Sequence, residues 1–233
     1  MRLADGDGYE VRRVPLERLL HVEMLEIFGR RPIMHGLLEV DVTDARRLIR
    51  EAGERTGERP SLTAFLIGCL ARAVDEDRSR CGTPRGDRCA RSTTSSGARR
   101  PPARTSTCAG GRSGRMRRVP RPVRALLYRA LARSPRAWKR YGGTVVLTSI
   151  GMFGRGAGWG ISAPGGYPLS VIVGGIGERP ALAEGRLEAR GLLSLTVSFD
   201  HTVVDGADAP RFVARLKELV EGCHGLRGPE PSV

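Results

Sequence analysis

The chain has 233 residues, 40% of them hydrophobic, and a formal net charge of +14 at pH 7. This length suits one large domain or two small ones, and the apolar content is sufficient for a sizeable core. The sequence has no apolar run of the about eighteen residues that a transmembrane helix needs. Its start, MRLADGDGYEVRRVPLERLL, has no continuous apolar block of the kind found in signal peptides. We therefore expect a cytoplasmic protein with no membrane association.

The cysteines and histidines argue against a metal site. The five cysteines form no CxxC pair and have no zinc-site spacing, and the four histidines are scattered along the chain. We expect free thiols and no bound metal.

The positive charge is local. Residues 78–140 hold 19 of the 39 Lys and Arg residues and a single acidic residue, Asp87, whereas the rest of the chain carries a slight negative charge. The charge of the whole chain is therefore not a nucleic-acid signature.

The first part of the chain predicts a strand and two helices. GLLEVDVTDARRLIREAG predicts a strand over about 36–42 and a helix that is capped by Thr43 and ends at Gly53. A second helix follows with Ser61 as its N-cap. Its apolar residues recur with the period of a buried helical face, at positions 62, 65, 66, 69, 70 and 73.

Residues 77–125 have a different composition and contain no Leu, Ile, Phe, Tyr or Trp. Such a stretch buries too little apolar area to offset the entropy of ordering itself. Three interpretations stay open. It is a disordered basic linker, an arm for a polyanionic partner, or the product of a shifted reading frame in a GC-rich gene. The absence of aromatic residues among the arginines does not support base stacking, so nucleic acid is not an expected partner.

The remaining sequence predicts a helix that ends before Pro135, then strands, then a last helix. The predicted strands cover 144–149, 168–177, 185–190 and 192–201, and the C-terminal helix is ADAPRFVARLKELVEG. Strands and helices alternate without a regular βαβ order. We predict an α/β fold, a two-layer sandwich in which helices pack on a mixed β-sheet.

His201 is the first candidate for chemistry, because it lies where the last strand ends and Asp205-Gly206 turns the chain toward a helix. A strand end holds a side chain firmly beside open space. Imidazole suits proton transfer near neutral pH. Neither serine nor cysteine adjoins His201, which indicates a nucleophile supplied by the substrate, such as a thiol.

Two stretches resemble the 2-oxoacid dehydrogenase acyltransferase catalytic domain, which shares its fold with chloramphenicol acetyltransferase. SFDHTVVDGADAPRF resembles the family's C-terminal pattern D-H-R-x-x-D-G-A, although Thr202 stands where arginine is usual. GTVVLTSIGMFG, residues 143–154, resembles its second pattern, G-T-x-T-x-S-N-x-G. The resemblance extends over about 10–76 and about 123–222.

The resemblance implies acyl transfer between the thiols of dihydrolipoamide and coenzyme A, with His201 as general base. A hydroxyl of the second pattern would donate to the tetrahedral oxyanion. Thr148 takes the family's serine position and Ser149 its asparagine position. Asp205 would anchor the catalytic turn through an ion pair with an arginine.

The resemblance also implies how the protein is organised. We expect a single catalytic domain over 1–233, interrupted by the basic segment, with coenzyme A as a substrate and the lipoyl group supplied in trans. By analogy the protein forms a homotrimer or larger assembly with active sites between subunits. Two alternatives stay open: an O-acetyltransferase of a small molecule from the same superfamily, and a degenerate, non-catalytic binding protein with a basic arm.

Overall fold

The computed structural model describes residues 3–5, 9–11, 15–29, 31–58, 60–76, 83–85, 88–90, 119–134, 144–151, 156–161, 166–183 and 185–226. Within these ranges the elements in chain order are β1 (Leu3–Asp5), β2 (Tyr9–Val11), α1 (Leu16–Phe28), β3 (Ile33–Asp41), α2 (Thr43–Thr56), α3 (Leu62–Glu76), β4 (Thr83–Arg85), β5 (Arg88–Ala90), α4 (Arg121–Arg133), β6 (Val145–Ser149), β7 (Leu169–Ala183), β8 (Arg186–Asp200) and α5 (Asp208–Glu221).

A four-stranded sheet organises the described part of the chain, with the strand order β3-β8-β7-β6. β8 runs antiparallel to both β3 and β7, and β6 runs parallel to β7. The predicted mixed sheet is therefore confirmed. The strands predicted over 185–190 and 192–201 form the single long strand β8, because Gly191 continues the pairing with β7 opposite Glu178.

Helices α2, α3 and α5 pack on one face of this sheet. All the predicted apolar positions of α3 are buried or half-buried in the shared core, and Ser61 caps this helix by accepting a hydrogen bond from the Ala64 N–H at 3.0 Å. From α5, Phe212 meets Phe199 of β8 edge to face, with 5.7 Å between the ring centroids. Aromatic and aliphatic burial of this kind is the main stabilising contribution to such a core.

The end of α2 differs from the prediction. Gly53 is buried inside the helix, which continues to Thr56 and ends at Gly57 with a left-handed φ of 73°. The predicted end at Gly53 is therefore wrong, because Gly57 and not Gly53 has the left-handed backbone conformation that favours glycine over other residues. Thr43 is the first helical residue rather than the cap.

Helices α1 and α4 pack against each other through a buried ion pair between Glu23 and Arg124. α4 spans Arg121–Arg133, so its end before Pro135 is as predicted. Its first turn lies in the segment 77–125, so that segment is shorter than the sequence suggested. Residues 77–82, 86–87 and 91–118 of the segment lie outside the described residues.

None of the helices in the described ranges is both long and apolar enough to cross a bilayer.

Cys69 of α3 and Cys223, which follows α5, are buried thiols. Burial raises the pKa of the Cys69 thiol to about 12. A thiol with so high a pKa carries little thiolate at neutral pH and is a poor nucleophile.

Candidate functional site

His201 lies immediately after β8, in a turn that leads toward α5. Its backbone N–H donates to the carbonyl oxygen of Pro32 at 2.8 Å, just before β3 begins. Its side chain is exposed. The backbone at His201 is thus tied to the sheet while the imidazole faces open space, which is the placement that the sequence predicted.

The carboxylate of Asp200, one residue before the histidine, is fully buried and saturated with donors. Arg31 Nη1 lies 2.9 Å from Asp200 Oδ2. Asp200 Oδ1 accepts two hydrogen bonds from Thr202, one from the N–H at 3.0 Å and one from Oγ1 at 2.6 Å. A buried carboxylate needs such partners, because an uncompensated buried charge is costly.

Asp205 has a different role from the expected one. Its side chain is exposed, and within the described ranges it forms no ion pair. Its carbonyl oxygen accepts hydrogen bonds from the N–H groups of Asp208 and Ala209 at 3.1 and 3.3 Å, at the start of α5. The arginine expected beside Asp205 is therefore found beside Asp200 instead.

Thr148 and Ser149 end β6 and point to opposite faces of the sheet, as neighbouring residues of a strand do. Ser149 is level with Val173 of β7, on the face covered by helices, and lines a cavity of about 290 Å³ together with Leu62 and Thr63 of α3. Thr148 is level with Ile172 on the opposite face and is exposed. Only Thr148 therefore offers its hydroxyl to a molecule approaching from outside the helical layer.

The face that carries Thr148 combines a buried polar row with an exposed apolar surface. Four hydroxyl side chains of β7 and β8 are buried there: Ser170, Ser194, Thr196 and Ser198. Residues 156–161 cross this face, where the Gly158 N–H donates to Ser194 Oγ at 3.3 Å. Four large apolar side chains on or above it stay exposed: Leu37, Ile150, Trp159 and Ile161. We call these four residues the apolar surface.

Glycines allow the close approach of residues 156–161 to β7. A Cβ atom on Gly174 would collide with the carbonyl oxygen of Gly158, and one on Gly175 with that of Gly156. The ladder between β7 and β8 shifts register between Val173 and Ile176, at the same place. Such a bulge, with glycine where two backbones meet, is typical of strands next to functional sites.

His201 and Thr148 of one chain do not meet. Thr148 is level with Thr196 of β8 through Ile172, and His201 lies five residues further along. Five residues of strand span roughly 17 Å and two strand spacings add about 10 Å sideways. A separation on the order of 20 Å excludes a shared reaction centre within one chain.

Sequence reasoning missed that Arg31 and Thr202 both bind the carboxylate of Asp200. Arg31 is 169 positions from its partner, and nothing local distinguishes it from the other arginines. It also missed His35, whose Nδ1 lies 2.8 Å from Ser198 Oγ. The pairing of β3 with β8, which places Arg31 and His35 beside the end of β8, is the signal that would have found both residues. Among the described residues no group of three or more potential metal ligands occurs.

Comparisons with solved structures define the class of fold. A probable dihydrolipoamide acetyltransferase from Listeria monocytogenes superposes with a TM-score of 0.65 at 21% identity, covering 98% of this chain and 99% of that one. A dihydrolipoamide acetyltransferase from Azotobacter vinelandii gives a TM-score of 0.64 at 18% identity, covering 95% and 96%. The fold is that of an acyltransferase catalytic core.

A family model matches the C-terminal part of the sequence. Residues 115–226, which include Thr148, Ser149, His201 and Asp205, match the model of the 2-oxoacid dehydrogenases acyltransferase (catalytic domain). This match covers slightly less than half of the chain and contains both of the stretches that resemble the family's signatures.

Curated relatives match over a shorter stretch. The dihydrolipoyllysine-residue succinyltransferase component of the human 2-oxoglutarate dehydrogenase complex is 35% identical over 82 residues, 34% of this chain and 17% of that protein. The lipoamide acyltransferase component of the branched-chain alpha-keto acid dehydrogenase complex of Pseudomonas aeruginosa is 38% identical over 95 residues, 39% of this chain and 21% of that protein. The matched stretches thus span about a fifth of the relatives' length.

Proposed function

We propose that this protein is an acyltransferase that moves an acyl group between the thiols of dihydrolipoamide and coenzyme A. The observation that carries the proposal is the family match over residues 115–226, because it contains both signatures and an open histidine at a sheet end. Coenzyme A acts as a substrate in this proposal, and a lipoyl group reaches the site in trans. The domain assignment, one catalytic domain over 1–233 in the cytoplasm, is part of the proposal.

Relatives support the role of His201. In the Azotobacter enzyme, a serine, a histidine and an asparagine have been investigated for their role in the catalytic mechanism. The histidine and the asparagine of that enzyme are four positions apart. His201 and Asp205 have the same spacing. We assign His201 as the general base and Asp205 as the residue that shapes the following turn.

The chemistry requires one proton transfer and one oxyanion donor. His201 takes the proton of the attacking thiol, whose pKa of about 8.5 lies only about two units above that of imidazole. The resulting thiolate adds to the thioester carbonyl, and the oxyanion accepts a hydrogen bond from the Thr148 hydroxyl. The second thiolate leaves when the intermediate collapses and regains the proton from the imidazolium. Loss of one oxyanion donor typically lowers the rate about 10²–10³-fold.

The distance between His201 and Thr148 supports an active site shared by two protomers of a homotrimer. His201 of one protomer meets Thr148 of its neighbour, whose hydroxyl lies on the face that residues from outside can reach. The apolar surface lies on this same face, and exposed apolar groups of this size mark association sites. We therefore propose that the neighbouring protomer covers the apolar surface.

The role of His201 as a base is tested by measuring acyl transfer from acetyl-, isobutyryl- and succinyl-CoA to dihydrolipoamide. Formation of the new thioester is the signal that is monitored. We expect His201→Ala to lose activity by at least about 10²-fold, the lower range for a general base. His224→Ala is the matched control, since His224 is also exposed but lies beyond α5. Equal rates for wild type and His201→Ala reject the catalytic proposal and leave the non-catalytic alternative.

Subunit complementation tests the shared site. His201→Ala and Thr148→Val protomers are each inactive alone but are expected to regain activity when they are co-expressed. In a cyclic trimer, about a quarter of the sites then combine an intact histidine with an intact threonine. Two inactive variants that stay inactive in verified mixed assemblies contradict the proposal of a shared site.

Light scattering tests the apolar surface directly. Ile161→Glu places a charge on it and is expected to shift the protein toward monomers, whereas Leu182→Glu on the β7–β8 hairpin, at a residue just as exposed, is expected to leave the mass unchanged. An unaltered mass for Ile161→Glu rejects this surface as the interface.

A further inference from the structure

We propose that Thr202 and Arg31 are positioning residues for His201, and that they act through the buried carboxylate of Asp200. This inference rests on the proposed role of His201 as a base. It assigns a task to two residues that touch neither the imidazole nor any reacting group.

The two oxygens of the Asp200 carboxylate are divided between two partners. Oδ2 is paired with Arg31 Nη1 at 2.9 Å, and Oδ1 accepts the N–H and the hydroxyl of Thr202 at 3.0 and 2.6 Å. Charge-assisted hydrogen bonds of this length are among the stronger ones in proteins. The carboxylate is therefore locked in one orientation rather than free to rotate.

Arg31 is itself held in place. Its Nη1 also lies 3.4 Å from the carbonyl oxygen of Gly166, and its guanidinium lies 5.2 Å from the centroid of the Phe28 ring. Its side chain is only 18% exposed. A planar, partly stacked guanidinium loses little additional entropy when it binds the carboxylate, so it is a firm anchor.

The chain turns at His201 because the residues before and after it, Asp200 and Thr202, are both held by hydrogen bonds. Asp200 donates its N–H to the carbonyl oxygen of Pro168 at 3.0 Å, and its own carbonyl accepts the N–H groups of Val203 and Val204 at 2.9 and 3.2 Å. Thr202 folds back onto the Asp200 carboxylate. His201 lies between these two anchors, and the direction of its Cα–Cβ bond is thereby fixed.

The backbone is what orients the imidazole. Among the described residues, no side chain forms a hydrogen bond with the His201 ring, and the ring is exposed. A histidine without a side-chain orienter depends on the geometry of its own turn. A misplacement of about 1 Å in a catalytic group lowers the rate about 10²-fold, so the donors that set this turn affect catalysis.

The Thr202 hydroxyl gives the sharpest test, since this residue is exposed and tolerates substitution. Thr202→Val keeps the shape and the N–H but removes the Oγ1 donor, and Thr202→Ser keeps the donor. We expect kcat to fall about tenfold or more in Thr202→Val with little change in KM for acyl-CoA, and to stay within about twofold of wild type in Thr202→Ser. Arg31→Lys, which keeps the charge but not the planar anchor, is expected to lower kcat as well.

The controls separate positioning from general stability. Thr56→Val also removes an exposed threonine hydroxyl, which donates to the carbonyl oxygen of Ala52 at 2.8 Å and accepts the Glu58 N–H at 3.3 Å, and is expected to leave kcat unchanged. The kcat–pH profile of Thr202→Val should be lower than that of wild type at every pH but should have the same midpoint. This is because the substitution changes the position of the imidazole and not its ionisation.

Two results overturn the proposal. One is a wild-type kcat in Thr202→Val, and the other is a kcat in Thr202→Ser as low as in Thr202→Val. Full activity of His201→Ala overturns the proposed function itself, so the two failures are distinguishable.

Discussion

Breaking the buried ion pair between Glu23 and Arg124 should separate α4 from α1. Arg124 binds the carboxylate with two hydrogen bonds, from Nε to Oε2 at 3.0 Å and from Nη2 to Oε1 at 2.7 Å, and the side chains are only 10% and 7% exposed. Arg124 Nη1 also donates to the carbonyl oxygen of Val119 at 2.8 Å. This pair is the main polar contact in the described part of the α1–α4 packing.

The magnitude follows from the cost of an unpaired buried charge. Arg124→Met leaves the Glu23 carboxylate without its bidentate partner, and loss of hydrogen bonds to a charged group typically costs about 1.5–3 kcal/mol. Arg121 offsets little of this, because its Nε lies 3.7 Å from Glu23 Oε1 and its side chain is 68% exposed. The double variant Glu23→Leu/Arg124→Met removes both charges and is expected to be within about 1 kcal/mol of wild type or more stable.

Urea unfolding followed by circular dichroism, with the two single variants and the double variant, measures these differences. The stabilisation by this ion pair should also change with pH in a defined direction. Hydrogen bonds from Arg124 hold the pKa of Glu23 below its usual range. The pair therefore stabilises the fold above the ordinary carboxyl pKa, and its contribution is lost as the pH falls through the lowered one. A loss below about 1 kcal/mol in Arg124→Met, or a double variant as unstable as the single ones, refutes the reasoning.

Three further changes test other parts of the fold. Arg215 and Arg72 lower the pKa of Glu76 to about 2, so Glu76→Gln should lower the urea midpoint at pH 7, and the difference from wild type should shrink as the pH falls from about 4.5 toward 2; a difference that does not depend on pH contradicts this. Gly174→Ala should cost about 1–3 kcal/mol in thermal unfolding, because the new methyl group meets backbone oxygens that cannot move alone. Gly68→Ala, which meets nothing within 4 Å in α3, should instead stabilise the protein by about 0.5–1 kcal/mol, and a loss at this position would contradict the assigned environment.

Local sequence patterns predicted most elements of the described sheet and its helical layer. The apolar period of α3, its Ser61 cap and the alternation of apolar residues in β8 each carry their signal within a few positions. The errors occurred where two local signals compete. Gly53 and Gly57 both resemble helix ends, and the choice between them depends on whether the glycine packs against the core or turns outward with a positive φ.

The site was predictable only in part, for a physical reason. His201 and Asp205 stand in one short motif, so their placement at a strand end and turn could be inferred locally. The partner of the buried carboxylate could not, since Arg31 reaches Asp200 through the antiparallel pairing of β3 with β8. The resemblance placed the arginine beside Asp205, and nothing in the motif pointed to Asp200 instead. Burial of Asp200 decides between them, because a fully buried carboxylate requires a cation and an exposed one does not.

A single residue step along β6 determines which hydroxyl a second molecule can reach. Thr148 and Ser149 are adjacent, yet the register with β7 turns one toward the open face and the other toward the cavity beneath α3. Because side chains alternate strictly in a strand, a slip of one residue would exchange the two positions. The Ser149 hydroxyl faces the helical layer of its own chain, and His201 of that chain lies on the order of 20 Å away. The hydroxyl on the open face therefore needs a histidine from elsewhere, which makes association a condition of the proposed chemistry rather than an addition to it.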